Sequence, residues 1–67
     1  MIHFDKTNTP IKIYDGDVKV GEITRVKWST TEYEVRVNGL IKTFPKLLNA
    51  KFFALSYLTG AYHAEAN

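Results

Sequence analysis

The stretch Tyr33-Glu34-Val35-Arg36-Val37-Asn38-Gly39-Leu40-Ile41-Lys42-Thr43-Phe44-Pro45 decides the fold. Apolar and charged residues alternate from Glu32 to Val37, the period of a strand with one buried face. Asn38-Gly39 is the strongest short hairpin signal, because both residues tolerate the positive φ of a type I′ turn. That turn sets Val37 opposite Leu40 and Tyr33 opposite Phe44, so the apolar partners share a face. Lys42 falls opposite Val35 on the same face and is the one discordant residue. An edge position suits it, since lysine there discourages sheet-to-sheet aggregation.

Upstream, Ile11-Lys12-Ile13-Tyr14 and Asp17-Val18-Lys19-Val20 flank Asp15-Gly16, a second hairpin signal. A turn centred on Asp15-Gly16 pairs Ile13 with Val18 and Ile11 with Val20. Gly21 breaks the alternation and marks a bulge or bend. The chain continues from Glu22 to Trp28, and a loop over residues 29–32 pairs Trp28 with Tyr33 and Val26 with Val35. Residues 1–10, ending in Thr7-Asn8-Thr9-Pro10, read as a polar lead-in. Downstream, Pro45 ends the last strand and suits a helix start. A helix over 46–59 follows, Gly60 stops it with a left-handed residue, and 61–67 form a frayed tail. The expectation is an α+β fold: one small domain, 1–67, with a four-stranded antiparallel β-meander over 11–44 and one C-terminal helix packed on one face.

With 67 residues and no cysteine, the chain has neither disulfides nor thiolate metal sites to staple it. A domain of this size buries only about 60% of its unfolded surface. It therefore relies on its apolar core, a partner or self-association. Hydrophobic residues make up 45%, far from a disordered composition. No apolar run is long enough to span a membrane, and Met1 to Lys6 lacks the pattern of a signal peptide. A cytoplasmic location is the default expectation.

Nine Lys and Arg against seven Asp and Glu give a net charge of +2. That is compatible with a polyanion partner without requiring one, so the distribution of charge matters more than its sum. On the expected registers the core face holds Ile11, Ile13, Val18, Val20, Val26, Trp28, Tyr33, Val35 and Val37. The opposite face then holds Lys12, Lys19, Arg25, Lys27 and Arg36, together with Glu34. Lys12 falls across from Lys19 and Arg25 across from Arg36, and like charges placed directly opposite are unfavourable. Such a face is either solvated, with the long side chains splayed into water, or it lies against an anion such as a nucleic acid backbone.

The helix carries more apolar residues than one buried face needs. Leu48, Phe52 and Leu55 form one stripe and Leu47, Ala54 and Leu58 a neighbouring one, and together they suffice to cover the sheet. Ala50, Phe53 and Tyr57 form another, turned away from Phe52 and Leu55. Either Ile2 and Phe4 or Tyr62 pack on Phe53 and Tyr57, or these two form an exposed patch for a protein partner or homodimer.

Trp28, Tyr33 to Gly39, Lys42-Thr43-Phe44 and a helix containing Ala50 and Phe53 resemble the three-stranded-sheet-plus-helix DNA-binding domain of the integrase arm-binding type, also found in plant ethylene-response factors. The resemblance covers residues 22–58. It implies that the sheet face opposite the helix enters the major groove, with Arg25, Lys27 and Arg36 as contacts. The chain departs from that pattern in its extra leading hairpin, in Glu32 and Glu34, and in having no recombinase catalytic domain. Val20-Gly21-Glu22-Ile23-Thr24, Gly39-Leu40 and a Pro-led helix are also similar to small lambdoid phage accessory proteins, which hints at a phage or prophage origin.

No catalytic constellation stands out. His3 and His63 lie at opposite ends, and no spacing suits a metal. Asp15 and Asp17 flank a turn glycine, Ser29 and Ser56 lack a nucleophile context, and no glycine-rich phosphate loop is present. The sequence therefore predicts a small non-enzymatic binding protein with no cofactor, no metal, no membrane association and no small-molecule substrate. Its leading expected function is contact with nucleic acid through Lys12, Lys19, Arg25, Lys27 and Arg36. The alternative is a protein-interaction module or homodimer using Phe53 and Tyr57.

Overall fold

The computed structural model describes residues 1–26 and 32–60. Lys27, Trp28 and His63 lie outside the described residues, as do the rest of the 29–31 connection and the 61–67 tail. The described chain forms five strands and one helix: β1 (Ile2–Phe4), β2 (Ile11–Asp15), β3 (Val18–Arg25), β4 (Tyr33–Val37), β5 (Leu40–Phe44) and α1 (Leu47–Thr59). All neighbours pair antiparallel in sequence order, β1-β2-β3-β4-β5. The α+β meander is therefore correct, but it has five strands where four were expected.

The added strand comes from the segment read as a lead-in. Ile2-His3-Phe4 alternates, and Ile2 and Phe4 pack on the core while His3 faces out and stacks on Tyr14. Three residues are a short signal, and pairing to β2 is what makes them a strand. Beyond Phe4, the Asp5 amide donates to the Lys12 carbonyl (3.0 Å) and the Asp5 carboxylate accepts from the Lys12 amide (2.7 Å), extending the ladder with a side chain. The chain then returns through Thr9-Pro10, whose peptide bond is cis.

The β4–β5 hairpin matches its expected register throughout. Val37 faces Leu40, Val35 faces Lys42 and Tyr33 faces Phe44, with Asn38 and Gly39 both at positive φ. Lys42 lies on the edge strand and reaches over the Phe53 ring, 5.8 Å from its centroid. An aliphatic stem on the core with a cation over an aromatic face explains a lysine on this side of the sheet.

The β2–β3 hairpin corrects the expectation. The turn residues are Gly16-Asp17, so Asp15 pairs with Val18 and Tyr14 with Lys19. Only Gly16 of the two has positive φ, at +64°, the pattern of a type II′ turn. Past Tyr14 the register shifts, and Val20 is the extra residue of a bulge: Ile13 faces Gly21, Lys12 faces Glu22 and Ile11 faces Ile23. Gly21 is required there. A Cβ on it falls 2.6 Å from Val37 Cγ1 and closer still to the Arg36 carbonyl oxygen. Val18, expected in the core, is 65% exposed at the sheet's end.

The β3–β4 register is also displaced. Val35 faces Ile23 and not Val26, a displacement of three residues. An odd displacement exchanges the two faces of a strand. Ile23 thus becomes a fully buried core residue, and Arg25, opposite Tyr33, moves to the helix side of the sheet.

The core consists of Ile11, Ile13, Ile23, Val35 and Val37 from the sheet and Ala50, Phe53 and Ala54 from α1, and Val26, expected in the core, is buried as well. The helix begins after Lys46, which caps it in extended geometry without a side-chain bond, and ends at Gly60 in the left-handed region. Its packing face is the one anticipated only in part: Leu47, Ala54 and Leu58 pack on the core as expected. Phe53 is buried against Phe44 and Tyr57, with ring centroids 5.2 and 5.9 Å away, whereas Leu48, Phe52 and Leu55 point outward. Ala50 and Ala54, small and one turn apart, sit at the contact with the sheet and let Phe53 fill the space beside them.

Candidate functional site

Among the described residues two surfaces remain open once the helix has covered one side of the sheet. The first is the sheet's outer face. Across the strands it carries the row Lys12, Glu22, Arg36, Ile41 and the row Thr24, Glu34, Thr43. Neither expected like-charge pair exists. Lys12 and Arg36 flank Glu22, Lys19 pairs with Glu22 at 3.1 Å, and Arg36 pairs with Glu34 at 3.2 Å. Opposite charges laid side by side on a solvent-exposed sheet contribute about 0–1 kcal/mol each. They also cancel much of the field that a phosphate backbone would feel.

The five cations expected on this face do not share it. Lys12, Lys19 and Arg36 do. Arg25 is on the helix side at the sheet's margin, where Nη2 donates to the Tyr33 hydroxyl (2.8 Å) and the guanidinium lies 5.0 Å from the ring centroid. Lys27 lies outside the described residues. A shallow depression of about 410 Å³, bordered by Lys19, Glu22, Arg36, Asn38 and Ile41, opens at the hairpin end of the face. It is broad and open to solvent, and its two cations already hold carboxylates.

The second surface is the outward side of α1. At 100° per residue, Leu48, Phe52 and Leu55 lie on the side of the helix opposite Ala50, Phe53 and Tyr57. Their exposures are 65%, 61% and 40%. Beside them, where α1 meets β1, Phe4, Leu48, Phe52 and Leu55 line an apolar groove of about 140 Å³. Lys51 forms its rim: its ammonium donates to the Thr7 carbonyl (3.3 Å) and lies 5.9 Å from the Phe4 ring centroid.

The anticipated patch, Phe53 and Tyr57, is therefore inside: Phe53 belongs to the core and Tyr57 packs against it. The true outward stripe was visible in the sequence as a leucine-phenylalanine-leucine ridge at spacings of four and three. The structure turns it away from the sheet it was expected to cover. The signal that separates the two sides is the Ala50-Ala54 pair, since small residues one turn apart allow a helix to lie close on a sheet.

Among the described residues no three His, Asp or Glu side chains gather to hold a metal ion, and no helix is long and apolar enough to cross a membrane. No family model, curated protein or solved structure matches the chain.

Proposed function

We propose that this chain is a non-enzymatic binding module that docks another polypeptide through the outward stripe of α1. The observation that carries this reading is the exposure of Leu48, Phe52 and Leu55 as one continuous ridge on a helix whose opposite side already supplies the core. Scattered exposed apolar residues are ordinary, but a contiguous apolar strip beside a groove marks an interaction surface.

The expected nucleic-acid contact is kept as a second reading on one observation. The outer sheet face is uncovered, and Lys12, Lys19 and Arg36 outnumber Glu22 and Glu34 on it. Its ion pairs make it the weaker candidate.

A photo-crosslinking residue placed separately at positions 52 and 36 tests both. The chain is exposed to extract from the cells that make it, and the adducts are identified. Polypeptide adducts at position 52, absent at 36, are the expected result. Nucleic acid adducts at 36 with none at 52 overturn the docking reading in favour of the second.

A further inference from the structure

The chemistry around the stripe specifies its occupant. The groove between Phe4 and α1 is open to solvent, almost wholly apolar, and about 140 Å³ in volume. Small-molecule sites run to about 300 Å³ and above, so this one has room for a single large side chain, the kind of anchor a partner polypeptide inserts. The ridge beside it, Leu48-Phe52-Leu55, has the alternating four-and-three spacing by which one helix seats against another. The rim carries one cation, Lys51, whose ammonium also holds the Thr7 carbonyl, and from Lys46 to Gly60 there is no acidic residue.

A second copy of the chain suits this surface poorly. Packed antiparallel about Phe52, two α1 helices bring both Lys51 side chains to the same side of the seam, where flanking charges choose partners. Packed parallel, Lys51 meets the side of the partner helix that carries Asn49 and Ser56. In neither direction does α1 offer a carboxylate. We infer that the α1 stripe takes an amphipathic helix of a different protein, with a large apolar residue in the Phe4–α1 groove and an acidic residue facing Lys51. This inference rests on the docking reading and adds the partner's helical form and charge.

The test uses two synthetic amphipathic helical peptides with the same leucine face, one flanked by glutamates and the other by lysines. Each is fluorescently labelled and titrated against the full chain at low salt. The acidic peptide is expected to bind about threefold more tightly, the scale of one exposed charge pair. Lys51→Glu reverses the preference, and Phe52→Ser, or independently Leu55→Ser, removes binding of both. Equal affinities overturn the charge assignment, and binding that survives Phe52→Ser overturns the location. Failure of both peptides, with polypeptide crosslinks present at position 52, overturns the helical occupant and leaves the docking reading standing. Sedimentation equilibrium of the chain alone is expected to show a monomer. A dimer that Phe52→Ser dissolves overturns the inference in favour of a second copy.

Discussion

The two sides of α1 are both apolar and opposite in role. Ala50, Phe53 and Ala54 are buried against the sheet, with Leu47, Tyr57 and Leu58 packed beside them, while Leu48, Phe52 and Leu55 face out. Hydrophobic burial alone does not choose between two apolar sides. Fit does: the sheet already supplies bulky Ile11, Ile13, Ile23, Val35 and Val37, and close approach needs alanine on the helix.

The sharpest way to break this comparison is to truncate the two phenylalanines in turn. Phe53→Ala removes a buried ring in contact with Phe44 and Tyr57 and is expected to cost about 3 kcal/mol, read from the midpoint of denaturant unfolding. In a domain this small that is a large share of the total stability. If Phe53→Ala costs no more than Phe52→Ala, the sides of the helix have been assigned the wrong way round.

Enlarging the alanine tests the same contact from the other direction. Ala54→Leu drives a larger side chain into a closed interface and is expected to cost about 2 kcal/mol, with a lower melting temperature by circular dichroism. Gly21→Ala probes the sheet side of that core, where the new methyl collides with Val37 and the Arg36 backbone. A loss of about 1–2 kcal/mol is expected, and an unchanged melting temperature would mean that Gly21 does not face Val37 as the β3–β4 register places it. The smallest effect belongs to the exposed side. Phe52→Ser is expected to change stability by less than about 0.5 kcal/mol while abolishing peptide binding, so unfolding and binding measured on one variant separate the two roles.

The two hairpins show how much of the fold was legible and why the rest was not. Asn38-Gly39 gave both the turn and the register, because a two-residue loop leaves the flanking strands no freedom. Asp15-Gly16 gave the hairpin but not its register. The same residues accept a turn one position later, with Gly16 first, and the Val20 bulge then displaces everything beyond it. The β3–β4 connection carries no tight turn signal, so only the matching of apolar residues points to its pairing. Both Val26 and Ile23 offer a match for Val35, and the choice between them moves Arg25 from one face to the other. The candidate site was less legible than the fold for the same reason. The cations of the sheet were identified, but their grouping depended on two registers that local sequence leaves open.

Local sequence sets the α+β class, the order of strands and helix from β2 onward, the β4–β5 register and the stop at Gly60. Each follows from short-range chemistry: alternation, positive-φ turn residues and the steric limits of proline and glycine. Long-range packing settles that Ile2 to Phe4 become a strand, which residues of β3 face the helix, and which side of α1 stays exposed. Those outcomes rest on contacts between segments far apart in the chain, where several local patterns are almost equally apolar and close packing selects among them.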